Sequence, residues 1–421
     1  MPLKVLIVGG GLAGFAAAIA VGRKGHTVEI FEKSKFSNEV GAALHFGPSC
    51  ARVFRELDID LEALDYVKCL RWRVFDENGA YMGQRYEMRD RQRELGFSGN
   101  EIMCHRVDAH SHLRQLALSY PNTRLHLSSG VQRLDPDTGT IMLQDGTVHQ
   151  GDLIIGADGI HSKTVQAIAG PSCVAQPSGY NIFRFMVPVN KARADPAVSA
   201  FLDTIDNFQT HCDFRCERGP RFVMYTCRGG TLLNFGLLVP GELTKRDPQS
   251  MDWTSPSSPE EVLDVYYEFP PFLKTLIKMG EDVKHWAFAA RDIPPVYTKG
   301  KLVLIGDAAH PMHPTHATGA VQGIEDAACL GELLTPDTTP SELPKRLRMY
   351  NALRYERTAT LKYASELMSG GDADRLKALK RFLPHASLPE DVDAFIWLYD
   401  VIEETQRALR ELQRPMERSR L

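Results

Sequence analysis

Residues 3–14 are Leu-Lys-Val-Leu-Ile-Val-Gly-Gly-Gly-Leu-Ala-Gly. Leu3 to Val8 is a nearly continuous apolar run, the pattern of a parallel strand buried on both faces. Gly9, Gly11 and Gly14 then fit Gly-x-Gly-x-x-Gly, while Leu12 and Ala13 open an alanine-rich helix over 12–24 that Gly25 stops. A second strand, Thr27 to Phe31, ends at Glu32 with Lys33 beside it. Each part has a physical task. Gly9 permits a tight strand-to-helix turn, Gly11 lets backbone approach a pyrophosphate, and Gly14 lets helix and strand pack closely. The helix N-terminus offers unpaired N–H groups and partial positive charge to the phosphates. Glu32, 18 positions after Gly14, is placed to accept hydrogen bonds from ribose hydroxyls. A carboxylate there repels a 2′-phosphate, so a tightly held dinucleotide is not NADP; FAD and NAD both stay open.

At 421 residues the chain exceeds what one core fills and predicts two or three structural units. Its 43% hydrophobic and 24% charged content is that of an ordinary globular protein, and a net charge of −4 lacks the basic footprint that nucleic acid requires. Eight scattered cysteines read as reduced thiols, without a Cys-x-x-Cys. Cys212 and Cys216 have a metal-pair spacing but no second pair nearby. Val5 to Gly22 is the longest uncharged run, and the glycines at 9–11 break it, so no membrane span is expected. The absence of a leader points to the cytoplasm, and the final Ser419-Arg420-Leu421, a close variant of Ser-Lys-Leu, names the peroxisome as a second address.

Two further segments select a flavin. Asp152 to Ser162 reads as a short apolar strand, then Gly156-Ala157-Asp158-Gly159 in a turn. Lys301 to Pro311 repeats the pattern with Gly306-Asp307-Ala308-Ala309-His310-Pro311, followed by Pro314, Gly319-Ala320 and a helix from about Val321 to Leu334. Asp307 would meet ribityl hydroxyls, and the helix N-terminus would face the flavin edge where negative charge develops on reduction. His310, His313 and His316 are not read as metal ligands, because the prolines at 311 and 314 keep a regular helix from aligning them.

These motifs, in this order, resemble the flavoprotein aromatic hydroxylases related to para-hydroxybenzoate hydroxylase. Gly41 to Pro48, His105-Arg106-Val107-Asp108, Ile324-Glu325-Asp326-Ala327 and Trp397-Leu398-Tyr399-Asp400 are similar to the branch holding salicylate hydroxylase, 3-hydroxybenzoate 6-hydroxylase and 6-hydroxynicotinate 3-monooxygenase. The resemblance implies FAD as cofactor, with Ala43 and Arg106 contacting it, Asp158 near the pyrophosphate and the nicotinamide site, Asp307 on the ribityl chain, and Pro314, Gly319 and Ala320 beside the ring. It implies NADH or NADPH as transient co-substrate, molecular oxygen, a flavin C4a-hydroperoxide and a small aromatic substrate; a homodimer stays open. Two positions depart from the family pattern: Ala317-Thr318-Gly319-Ala320 stands where Gly-Gln-Gly-Ala is common, and Val165 where arginine is common.

The expected fold is α/β, a Rossmann-type FAD-binding domain with an inserted antiparallel-sheet substrate domain and a C-terminal helical segment. Its expected parts are 1–175 (with 71–103 on the substrate side), 176–285, 286–365 and 366–421. Residues 221–226 and 232–238 predict strands of the substrate sheet, and 244–260 a loop. Lys345, Arg346, Arg348, Arg354 and Arg357 suggest a solvated helix face. For chemistry, His45 is the candidate base, Tyr225 an orienting group and Arg184 a partner for carboxylate or phenolate, with His310 and His316 further candidates for proton work. A flavin oxidase or epoxidase of a larger metabolite would share every FAD motif.

Overall fold

The computed structural model describes residues 2–36, 42–205, 209–217, 219–247, 255–366 and 371–418. Gly41 and the Ser419-Arg420-Leu421 terminus lie outside them. The opening stretch folds as strand Lys4–Val8, helix Leu12–Gly22 and strand Thr27–Phe31. Val5, Leu6 and Ile7 are wholly buried, which explains a run without polar alternation.

Six strands form the first sheet, in the order Thr298–Lys299, Leu302–Leu304, Leu153–Gly156, Lys4–Val8, Thr27–Phe31 and Thr123–His126. All pairs are parallel except the edge hairpin Thr298–Lys299 with Leu302–Leu304. The register sets Val8 beside both Phe31 and Gly156, and Gly156 beside Leu304. All three glycine-bearing turns therefore leave the sheet at one carboxyl edge, the side on which open parallel sheets bind ligands. Helix Gly319–Leu333 packs against helix Leu12–Gly22.

The second sheet has eight strands, in the order Ser255–Pro256, Glu281–Ala290, Gln176–Pro188, Leu232–Pro240, Arg221–Cys227, Thr210–Arg215, Arg71–Asp76 and Tyr81–Glu87. It departs from a purely antiparallel sheet at one seam, where Thr210–Arg215 pairs in parallel with Arg71–Asp76. Those two strands come from distant parts of the chain, and the intervening residues, which include strand Leu153–Gly156 of the first sheet, serve as the long crossover that a parallel pair requires. One face buries Phe183, Phe185, Phe214, Phe222 and Phe235 against apolar residues of helices Pro196–Asp203, Pro259–Val265 and Pro271–Met279. Each such ring contributes about 1.5–3 kcal/mol. The other face is free to roof a cavity.

Helix Pro259–Val265 begins inside the segment expected to be a loop, capped by Ser258 Oγ accepting from the Glu261 N–H; residues 248–254 of that segment lie outside the described residues. The charged helix face needs correction too. In helix Leu343–Ser365, Lys345 and Arg348 are exposed but Arg354 and Arg357 are buried, because a neighbouring helix supplies their acids. All eight cysteines are free. Among the described residues no helix is long and apolar enough to cross a membrane.

Candidate active site

The glycine turn is built by contact as much as by flexibility. Gly9 has φ +106°, and a Cβ there would lie 2.3 Å from the Ala157 carbonyl oxygen. At Gly14 a Cβ would lie 2.1 Å from the Gly9 carbonyl oxygen, while at Gly11 it would meet nothing within 4 Å. Gly11 thus opens onto space where two cavities of about 470 and 270 Å3 meet, both lined by Gly11, Ala157 and Gly159. The smaller takes in Gly9, Glu32, Lys33 and Asp158; the larger takes in Leu12, Ala13, Ala43, Arg106, Asp307, Pro314, Gly319 and Ala320. Glu32 stands at the second strand's tip, its Oε2 accepting from the Gly10 N–H at 2.7 Å and its Oε1 from the Ser34 N–H at 2.7 Å. Asp158 closes its own turn, accepting from the Lys163 and Thr164 N–H groups and the Thr164 hydroxyl. His110, which motif reading missed, holds the turn from behind through Nε2 and the Gly10 carbonyl at 2.7 Å.

Asp307 opens to the larger cavity yet lies deep among protein atoms; desolvation raises its pKa despite the opposing charges of His310, Arg291 and Arg106. Two joined cavities, a Cβ-free cradle at the joint and a carboxylate at either side fit an extended dinucleotide with a second polyol chain, as FAD has. The FAD binding domain family matches residues 2–362. The chain belongs to this family of FAD-dependent aromatic hydroxylases.

The hydroxylase is 32% identical to the FAD-dependent monooxygenase cfoG of Aspergillus candidus, over 97% of this chain and 95% of the relative. It is 33% identical to the hispidin-3-hydroxylase of Neonothopanus nambi, over 84% of this chain and 86% of that one. With the 3-hydroxybenzoate 6-hydroxylase of Polaromonas naphthalenivorans it shares 29% identity over 94% and 96%. Its fold is that of CtdE in complex with FAD and substrate (TM-score 0.79, 23% identity, 99% and 100% covered) and of a salicylate hydroxylase substrate complex (TM-score 0.76, 24% identity, 96% and 97% covered). The protein is an FAD-dependent monooxygenase.

A buried ionic lattice stands behind the flavin-facing wall of the hydroxylase. Gly306, at φ +56°, donates its N–H to Asp326 Oδ2 at 2.9 Å, and His310 Nε2 meets the same oxygen at 2.6 Å. Arg354 Nε donates to Asp326 Oδ1 at 2.7 Å and Arg354 Nη1 to Glu325 at 2.9 Å, while Arg357 also faces Glu325. Burial works against an ionised Asp326, but His310, Arg354 and the Gly306 N–H outweigh it and hold the carboxyl down at about 2. The late Tyr399 lies under Arg357 at 3.8 Å. His310 is therefore a structural partner of Asp326 and does not line the cavity, which removes it from proton work. His316 does not line the cavity either: burial lowers it to about 3 and its Nδ1 contacts Thr315 Oγ1. His313 does line it, stacked near Phe288.

The roof follows strand alternation. Register sets Trp72, His211, Tyr225 and Asn234 in one row of the sheet, and Arg215, Arg221, Leu238, Ile182 and Trp286 in another. Tyr225 donates its hydroxyl to the Ala43 carbonyl at 2.8 Å, and the Ala43 N–H donates to Asn234 Oδ1 at 2.9 Å. Arg184 lines the cavity over the Trp286 ring at 4.7 Å, with its Nε unpartnered; burial lowers its pKa against the opposing influence of Tyr225. His45 is only 4% exposed and both its nitrogens face side chains, Nε2 at 3.1 Å from His211 Nδ1 and Nδ1 at 3.3 Å from Glu101 Oε1. Tyr86 donates to the other Glu101 oxygen, and Cys69 lies 3.5 Å from the Tyr86 hydroxyl.

His45, Cys69 and Glu101 have ligand atoms within 4.8 Å of one another, but Tyr86 and the Arg71 carbonyl already engage Glu101 and Cys69 as hydrogen-bond partners, so the trio forms a polar network. Trp72, Glu101, His211 and Arg221 were missed from sequence. Their only local signal is strand alternation, which indicates a face but not what meets it.

Proposed function

We propose that this hydroxylase consumes NADH or NADPH and molecular oxygen to place one oxygen atom on a phenolic or hydroxyaromatic-acid ring. The observation that carries this reading is the larger cavity, in which Asp307, Pro314 and Gly319 line one wall and Trp72, His45, His211 and Tyr225 another. When bound, FAD supplies hydride acceptance and activation of dioxygen, chemistry that amino-acid side chains lack. The chain's own residues do the rest. Trp72, Trp286 and Phe288 line the cavity and give an aromatic substrate apolar surroundings. Arg184 offers a planar fork to a carboxylate or phenolate, and Tyr225, tied to Ala43, fixes the roof beside the substrate. His45 belongs to the machinery that draws the phenolic proton and so raises electron density on the ring. The apolar lining keeps water from the reacting atoms. The one Gly-x-Gly-x-x-Gly turn serves FAD, so the nicotinamide cofactor visits without a Rossmann unit of its own.

A second observation favours a substrate longer than one ring. Arg221 lines the same cavity four residues along the strand from Tyr225, about 13 Å away at strand rise. Arg215 and Arg221 both engage the single buried carboxylate of Asp213, leaving net positive charge at that end for an acidic or strongly polar group. The name hispidin-3-hydroxylase carried by one relative suits a phenolic metabolite as substrate class.

The test is a screen of holoenzyme with hydroxybenzoates, hydroxynicotinates and phenolic polyketides under isotopically labelled oxygen. Nicotinamide oxidation stimulated by one compound, with one labelled atom in the product, is the expected result. Substrate oxidation without label would overturn it in favour of an oxidase.

A further inference from the structure

Arg85 is the extra residue of a β-bulge on the edge strand Tyr81–Glu87. In the pairing with strand Arg71–Asp76, Trp72 stands opposite Tyr86 and Arg73 opposite Gln84, which leaves Arg85 without a partner in the ladder. A bulged side chain is re-aimed out of the strand's alternation. The guanidinium of Arg85 lies over the Trp72 ring, 4.6 Å from its centroid, and its fork reaches two elements far away in the chain. Nε donates to Asp393 Oδ2 at 2.9 Å, Nη2 donates to Asp393 Oδ1, and Nη1 donates to the Thr315 carbonyl at 3.2 Å.

We propose that Arg85 is a positioning residue of the hydroxylase, which sets the substrate roof against the flavin wall through Trp72 and Thr315 and is itself oriented by Asp393 of the C-terminal region. Arg85 does not line the cavity, whereas Trp72 and Thr315 both do. This rests on the reading of the larger cavity as the place where flavin and substrate meet.

The wall needs a fastening from outside. Its turn, Pro314–His316, leads through Ala317 at φ +51° into helix Gly319–Leu333, whose first turn has no side-chain cap. Thr315 is held by its hydroxyl, which donates to the Ser365 carbonyl at 2.8 Å, and by its own carbonyl, which accepts from Arg85. The helix that follows directs unpaired N–H groups and partial positive charge at the cavity, where they favour the negative charge that reduction places on a flavin. A turn that shifts carries this helix end with it.

Asp393 is delivered on a fixed support. Helix Val392–Trp397 is capped by Asp391, which accepts from the Ala394 N–H at 2.9 Å, and Arg357 and Arg52 hold its Phe395 and Trp397 carbonyls, each at 2.8 Å. A carboxylate that takes two donors of one guanidinium fixes its plane as well as its place. With Nε and Nη2 so committed, the fork carries Nη1 to Thr315. Burial works against the charge of Arg85, but Asp393 outweighs it. Lysine, a point charge on a flexible stem, cannot make these contacts together.

The test is the two-electron midpoint potential of FAD in substrate-free holoenzyme, measured by dye equilibration, with the urea midpoint alongside to follow the fold. Arg85→Gln, Arg85→Lys and Asp393→Asn should each lower the potential by the equivalent of about a tenfold loss of preference for reduced FAD, roughly 30 mV. The three variants separate position from charge. If Arg85 acted by its charge alone, Arg85→Lys would keep the wild-type potential and Asp393→Asn, which removes a negative charge, would raise it. Either result overturns the proposal. A lowered urea midpoint with an unmoved potential overturns it as well, because Arg85 would then serve the fold only. Should Arg85→Gln lose FAD, the nearly isosteric Asp393→Asn decides. With a substrate found in the screen, Asp393→Asn should release peroxide in place of product while KM changes little, and fully coupled turnover would count against the proposal. Because the potential is read without substrate, the two readings fail separately: wild-type potentials in an enzyme that oxygenates a phenol sink this inference alone, and lowered potentials in one that oxygenates nothing sink the proposed function alone.

Discussion

Arg354 and Asp326 meet 2.7 Å apart with neither side chain exposed at all. The pair lies behind the flavin wall, and the same carboxylate holds the Gly306 N–H that begins the wall. Breaking such a pair by removing one partner leaves an uncompensated buried charge, which costs about 3–5 kcal/mol. Arg354→Met should therefore lower the unfolding free energy of the holoenzyme by that order, read as a fall in its urea midpoint, and release FAD, since Glu325 and Asp326 both lose their main cation. A variant of wild-type stability would show that the lattice is not what holds the wall.

Asp307 contributes differently. Its carboxyl is open to the cavity, so Asp307→Ala should leave the fold intact and weaken flavin retention about 10- to 100-fold, the value of a hydrogen bond to a charged group. Flavin fluorescence released during dialysis measures it. Unchanged retention with an unchanged visible spectrum would detach Asp307 from the flavin.

Ala317 has φ +51°, at a position where the family commonly has glycine. A left-handed conformation costs an L-residue about 1–2 kcal/mol, partly offset because glycine loses more entropy on folding. Ala317→Gly should stabilise the protein by roughly 0.5–1 kcal/mol, seen as a rise in Tm of flavin-loaded protein. Destabilisation would mean that the methyl group, which stands at the cavity wall, packs against something of greater value.

Stability should fall on mild acidification. Burial lowers the pKa of His26, His105, His211 and His313, and lowers His316 to about 3. The folded state then keeps these rings neutral while the unfolded chain binds protons below about pH 6.5. Their contribution is complete above that value and is lost as pH falls toward the folded values, at about 1.4 kcal/mol per pH unit for each proton taken up. Asp326, held down at about 2, acts in the same direction below the ordinary carboxylate range. Urea midpoints from pH 7 to 5 should decline with a slope of more than one proton. His316→Gln should flatten that slope, and a level profile would contradict the burial of these rings.

What the sequence disclosed was the local part. Gly9 to Gly14 and Glu32 form one turn and one strand tip, so spacing along the chain is also spacing in space. Asp307 and Gly319 were legible for the same reason. The arginine lattice was not, because Arg354 and its acids sit on different helices, 28 and 29 residues apart, and charge pattern along one helix resembles a wet face until its neighbour is known. His211 was hidden for a related reason. Its partner His45 lies on strand Ala43–Phe46 of a separate sheet, and only the parallel seam between Thr210–Arg215 and Arg71–Asp76, far apart in the chain, brings Trp72 to its ring. The candidate at 45 was chosen by motif likeness, and that likeness cannot report that both of its nitrogens face other side chains.

Ala43 is gripped on both backbone groups by the opposite sheet, through Tyr225 and Asn234. The reacting end of the roof is thus pinned to the flavin half at Ala43, beside the His45–His211 contact, whereas the Arg221 end carries no such fastening to Ala43. Divergence among hydroxylases built this way can proceed by exchanging side chains at 182, 221, 238 and 286, trading one clientele of molecules for another while the register between ring and flavin stays where it was. An engineer seeking a new specificity would leave 225 and 234 alone and begin at the far end of the same strands.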